Sequence, residues 1–227
     1  MDRMTVADGN AAVAEEPRSA RREATRQRIL DAARIVFAEK GVIGATIEDI
    51  CEQAGFTRGA VYSNFVDKED VLQAVVDREH ERLLAHLDAS FEDVDREIAE
   101  APDLESAIVG VVDRLLRSIP LDRQLALVQA ELEIHAIRRP DTAGPFVAAN
   151  DRFRERIGAF IVEAMRRHGR APVVSAADIT DTVVAIVERS VRRAAIAGGG
   201  ADPDAMASAV LPHVLLALST ATGERAG

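Results

Sequence analysis

The segment 45–65 constrains this chain more than any other, because two capped helix patterns and a glycine turn follow one another within it. Thr46 opens the first as N-cap, with Asp49 three residues on in the place of the capping-box acid, and Ile47, Ile50 and Ala54 share one face. Gly55 ends it. Thr57 caps the next, which turns Ala60, Val61 and Phe65 inward and leaves Arg58, Gly59, Tyr62 and Ser63 or Asn64 on the other side. A capped second helix braced by a first across a tight turn is the geometry of a helix-turn-helix, with the motif at 46–65. The same geometry also occurs as a plain packing unit.

Everything around this segment reads as helix. Ile29, Leu30, Ala33, Val36 and Phe37 keep one apolar face up to a stop at Gly41. Asp67 caps a long helix in which Val71, Leu72, Val75, Val76, Leu83, Leu84 and Leu87 hold helical spacing to about Ser90, long enough to link two domains. Further apolar faces run through Leu104–Leu115, Leu125–Leu132, 146–168, 177–197 and 203–220, the last two joined by Gly198-Gly199-Gly200 and the last kinked by Pro212. No strand pattern competes. The expected fold is all-α with about nine helices: a disordered arm at 1–20, a three-helix domain at 21–67 and a helical regulatory domain at 68–227.

Bulk properties narrow the class. One cysteine, Cys51, cannot form an internal disulfide, apolar runs fall short of the roughly 20 residues that span a bilayer, and the first twenty residues lack the apolar core of a signal peptide. A cytoplasmic protein with no membrane partner is expected. The net charge of −10 argues at first against a polyanion. Its distribution argues otherwise: from Arg18 to Lys40 seven basic residues face three acidic ones. Arg18, Arg21 and Arg22 can touch DNA or simply solvate a tail.

The wording of the segment is more specific than its geometry. The run from Ala33 to Gly41, then Thr46-Ile47-Glu48-Asp49-Ile50, Ala54-Gly55, Thr57-Arg58-Gly59-Ala60-Val61-Tyr62, Phe65 and Lys68-Glu69 resembles the DNA-binding domain of TetR/AcrR transcriptional regulators. The resemblance covers about 22–77. Beyond it, the chain is similar to that family only in being helical and of suitable length. It departs at Val42, where the family often has an aromatic, at Cys51, where a small residue is usual, and at Asn64, where an aromatic commonly stands.

The resemblance implies a homodimer on a palindromic double-stranded DNA operator, released by a small hydrophobic effector that enters the C-terminal domain and moves the fourth helix. Helices 177–197 and 203–220 are the natural dimer surface, since with their symmetry mates they make a four-helix bundle. Thr57 and Arg58 open the recognition helix, where Arg58 can read guanine or hold a phosphate. Gly59 costs helix stability, which suggests close approach to a partner. Thr46, Tyr62 and Lys68 suit phosphate, with a bare cap, a core ring and a surface lysine as the respective alternatives. Asn64 carries an open contact.

Other residues invite weaker readings. Leu132, His135, Phe146, Phe153 and Phe160 are candidates for a ligand pocket, although a phenylalanine stripe also reads as core. Glu131 with His135 can form a metal pair or a polar face, and Cys51 can be a redox switch or a small buried hydrophobe. The reading assigns no cofactor and no metal. The rival class is a helical enzyme or interaction module that keeps the motif, but no HExxH, GxSxG or phosphate-binding glycine loop accompanies it.

Overall fold

The computed structural model describes residues 18–119, 122–198 and 200–222. Among them are ten helices and one two-stranded ribbon. The first helix, α1 (Arg18–Gly44), starts inside the stretch expected to be a disordered arm; the remainder of that arm, 1–17, lies outside the described residues. Gly41 breaks α1 with φ 71 and ψ 166, a conformation essentially confined to glycine. A Cβ there would also stand 2.8 Å from Glu131 Oε2. Glycine is thus required twice, by backbone and by space.

Short polar side chains set the helix starts. Thr46 accepts from Asp49 N at 3.2 Å and Asp49 Oδ2 accepts from Thr46 N at 3.0 Å, a full capping box opening α2 (Ile47–Ala54), which Gly55 closes in the left-handed region. Thr57 caps α3 (Arg58–Tyr62), Asp67 caps α4 (Lys68–Ala89), Asp103 caps α6 (Leu104–Ser118) and Asp122 caps α7 (Arg123–Arg138). Then come α8 (Gly144–Arg167), α9 (Ala176–Ala197), capped by Ser175, and α10 (Ala205–Ala217), with Pro212 inside it.

Two elements differ from expectation. The tenth helix, α5 (Phe91–Glu100), was not legible because its apolar side is only Phe91, Val94 and Ile98 set among acids. The chain is also not purely helical. β1 (Arg170–Pro172) pairs antiparallel with β2 (Ser219–Ala221), so the last helix ends at Ala217 rather than running on to 220.

Apolar burial joins these pieces into three clusters. The first gathers α1, α2, α3 and the start of α4 around Phe37, Ile50, Val61 and Val75, and takes Val128 and Leu132 from α7. The second packs Leu87 against Phe153, Ile157, Phe160 and Val184; the third sets Val112 and Leu116 on Ala207 and Leu211. Gly158 lets α8 approach α9, since a Cβ there would fall 2.6 Å from Thr180 Oγ1.

Charged staples bind the N-terminal helices to the rest. The buried Arg78 of α4 donates to Asp31 Oδ1 at 2.8 Å, to Gln27 O at 3.2 Å and to Glu79 Oε1 at 3.3 Å. Arg34 of α1 holds Asp122 at 2.6 Å and Gln124 at 3.1 Å on α7. The Asp31 and Asp122 carboxylates remain about half exposed or more, while the Arg78 guanidinium is buried, so it is Arg78 that depends most on its acceptors. No helix among the described residues is long and apolar enough to cross a membrane.

Candidate nucleic-acid interface and an apolar cavity

Burial sorts α2 and α3 into two faces. Ile50, Cys51, Ala54, Val61 and Phe65 are buried in the first cluster. Thr57, Arg58, Gly59 and Ser63 are exposed, and Tyr62 is 47% exposed, so its ring is not a core ring. Thr46 is exposed at the α2 N-terminus, where free N–H groups and the positive end of the helix dipole suit an anion. These residues form one solvent-facing surface.

Arg58 is held ready rather than locked. Its Nη1 lies 2.7 Å from Glu48 Oε1, with both side chains more than half exposed, and its guanidinium stands 5.9 Å from the Tyr62 ring. Exposed ion pairs of this kind are weak, and an incoming base edge or phosphate can displace Glu48. A Cβ added at Gly59 would meet nothing nearer than Thr57 Oγ1 at 3.9 Å. Nothing inside the protein demands that glycine, and a helix position favours Ala over Gly by about 1 kcal/mol.

Two sequence candidates also make bonds within the protein. Lys68, a candidate phosphate ligand, donates its ammonium to Val42 O at 2.8 Å and Ala45 O at 3.0 Å, closing the junction between α1 and α2. Asn64 turns inward along α3, donating to Ala60 O at 2.8 Å, and its Oδ1 faces Arg22 Nε at 3.5 Å. Arg22 itself donates to Ser63 O at 3.1 Å. Sequence reasoning missed that α1 braces the end of α3: besides Arg22, the Arg26 guanidinium lies 4.7 Å over the Phe65 ring, and Arg28 lies 4.6 Å over Phe56. Phe65 shows no sequence periodicity toward α1 that could have signalled this.

Cys51 is buried, and burial pushes its thiol pKa up, which keeps it protonated and weakly reactive. Glu131 does not pair with His135. Its Oε2 accepts from Val42 N at 3.1 Å, beside the Gly41 break, and no group of three metal-ligating side chains exists among the described residues.

A cavity of about 230 Å³ lies in the C-terminal helices. Phe153 and Phe160 line it, as the phenylalanine stripe suggested. Leu132 and Phe146 do not: both pack into the first cluster, because α7 and the start of α8 lean on the N-terminal helices. His135 is likewise outside the wall. The missed lining comes from other helices: Leu83 and Leu87 of α4, Leu115 of α6, Leu125 of α7 and Val187 of α9. Behind Phe153, the His80 ring stacks at 4.0 Å and 5°, and burial lowers its pKa to about 4. A neutral imidazole thereby backs an apolar wall.

Residues 29–75 match the family model described as bacterial regulatory proteins, tetR family. The chain is 54% identical over 63 residues to the HTH-type transcriptional regulator SrpR of Pseudomonas putida, covering 27% of this chain and 30% of that one. It is 42% identical over 73 residues to the HTH-type transcriptional regulator TtgR of the same species, covering 31% and 35%. The matched stretch therefore spans about a third of the length of these curated relatives. The matched family and these relatives are transcriptional regulators, not enzymes. The whole fold is similar to a TetR transcription regulator from Haloarcula marismortui, with TM-score 0.61, 21% identity, and 87% of this chain and 100% of that chain covered.

Proposed function

We infer, from an N-terminal domain that belongs to the tetR family of bacterial regulatory proteins, that this chain is a sequence-specific DNA-binding regulator, in the cytoplasm, released from its operator by a small apolar ligand. The observation that carries the reading is the exposed face of α3, where Thr57, Arg58, Gly59 and Tyr62 stand free of the core on the family-matched segment. Thr57 and Arg58 read base edges; Thr46 and Tyr62 hold phosphates.

A two-fold dimer matches a palindromic site whose half-sites lie about 34–36 Å apart. The outward sides of α9 and α10 support such a pairing, since Ala185, Ile196, Ala209 and Val210 are exposed there. Two helices connect the cavity to the DNA-binding face. Val71–Val76 of α4 sit in the first cluster while Leu83 and Leu87 line the cavity. Likewise Val128 and Leu132 of α7 sit in that cluster while Leu125 and Gln129 line the cavity. A ligand that favours one arrangement of these rods shifts operator affinity by its differential binding, about 1–3 kcal/mol in usual couplings.

The test is selection of bound fragments from the source genome, followed by anisotropy titration on the enriched sequence. Arg58→Ala and Tyr62→Phe lose affinity while keeping the wild-type helical signal. A protein that binds random DNA as tightly as the selected fragment defeats the proposal.

A further inference from the structure

Among the described residues, one cation in the cavity wall has no anionic partner. Arg170 of β1 is half-buried; its Nε donates to Ser219 Oγ at 2.8 Å, and its Nη2 to Ser219 O at 2.6 Å and Leu216 O at 3.4 Å. All of these acceptors are neutral. Two carboxylates that pair with its sequence neighbours serve those groups: Asp95 holds Arg167 at 3.0 Å and His168 at 3.1 Å, and Glu163 holds Arg166 and Arg167. Around Arg170 the segment 166–170 is therefore cation-rich. A guanidinium held by neutral carbonyls and a hydroxyl, facing an apolar chamber, is a prepared seat for an anion.

The cavity's own carboxylate lies at its other end. Ser190 Oγ accepts from Ala207 N at 3.2 Å, so the later part of α9 meets the start of α10, whereas Arg170 is fixed to the end of α10 at Leu216 and Ser219. Glu188 belongs to the Ser190 end and is already flanked by Arg154 at 3.7 Å and Arg192 at 3.6 Å. The chamber is polarised, with an unmatched positive charge at the ribbon and a matched carboxylate away from it. Between them the wall is Leu115, Ile157, Phe160, Ile161 and Val187.

Size narrows the occupant further. At about 230 Å³ the chamber falls below the ~300–1,000 Å³ of drug-sized sites, so it suits a small, mostly apolar ligand. Resting on the reading of this cavity as the effector site, we propose that its ligand is a medium-chain aliphatic carboxylate whose head group binds the Arg170 guanidinium and whose tail fills the Phe153–Phe160 chamber.

The test is calorimetric titration of the full chain, without DNA, with decanoate, decan-1-ol and decanamide. Decanoate is expected to bind at least about tenfold tighter than either neutral analogue, the worth of one charge-assisted hydrogen bond. Arg170→Gln should bring decanoate to the level of decan-1-ol and leave decan-1-ol unchanged, while Arg170→Lys retains part of the preference. Should Arg170→Gln not fold, the acid-to-alcohol ratio of the wild-type protein decides alone. Equal binding of acid and alcohol overturns the proposal while leaving the cavity a ligand site. If no probe binds, or if Leu115→Trp leaves binding unchanged, the cavity reading itself falls. Because DNA is absent, failure of operator release does not disturb the result.

Discussion

Gly41→Ala is the sharpest perturbation of the joint between the DNA-binding helices and the rest. Gly41 holds φ 71 and ψ 166, a region in which a non-glycine residue costs about 1–3 kcal/mol. The new Cβ would also stand 2.8 Å from Glu131 Oε2 and 3.1 Å from its carboxyl carbon, so the Glu131 side chain must withdraw. Withdrawal breaks its bond from Val42 N, worth about 1.5–3 kcal/mol for a hydrogen bond to a charged group. Together the cost is about 2.5–6 kcal/mol. For a chain of this length each kcal/mol moves the midpoint by roughly 2–4 °C, so thermal unfolding should start well below that of the wild type. A double-mutant cycle separates the two parts. In a Glu131→Ala background, Gly41→Ala should cost only the backbone part, giving an interaction energy of about 1.5–3 kcal/mol. Denaturant melts at fixed protein concentration supply all four numbers. Additive effects, or a Gly41→Ala protein within about 0.5 kcal/mol of wild type, would refute the assignment of Glu131 as the clasp on the α1 break.

Three further outcomes follow from particular side chains. Arg58→Ala should weaken operator binding by about tenfold to a hundredfold and relax discrimination at one base position, read by anisotropy on a panel of single-base variants. Lys68→Met should lower stability by about 1.5–3 kcal/mol, because it strips a cation from Val42 O and Ala45 O, while leaving the salt slope of DNA binding nearly unchanged; a slope reduced by about one would instead make it a phosphate ligand. His80, with its pKa lowered to about 4 against about 6.5 in the unfolded chain, binds its proton more readily when unfolded. Stability should therefore be complete above about pH 6.5 and fall by up to about 3 kcal/mol as pH drops toward 4, and melts of His80→Phe should lose that part of the slope.

What was legible in the sequence was local. Thr46, Asp49, Gly55 and Thr57 act over three or four residues, so their spacing states the capping box, the left-handed stop and the next cap directly. The long apolar helices declared themselves for the same reason. α5 did not, because only three of its residues turn toward the core, and the β1–β2 ribbon did not, because it pairs residues about fifty positions apart over three residues a side. The inward bonds of Lys68 were hidden for a related reason. A cation at a helix start suggests an outside anion when its inside partners, two carbonyls more than twenty residues upstream, are invisible.

The phenylalanine stripe shows where periodicity stops carrying information about function. Phe146, Phe153 and Phe160 fall seven residues apart and face the same side of α8, so nothing local distinguishes them. Their surroundings do. The first turn of α8 passes over the core shared by α1 and α7, so Phe146 is absorbed there, while two turns later the helix faces Leu87 and Val184, where the packing leaves a chamber. Which phenylalanine is core and which lines the cavity is thus decided by what each turn of α8 packs against, with Gly158 bringing α8 close to Thr180 of α9. A side chain at 158 would push α9 away and reshape the chamber without touching any lining residue. The shape of the cavity is for that reason a property of helix crossings, whereas the exposed face proposed to read DNA comes from twenty consecutive residues.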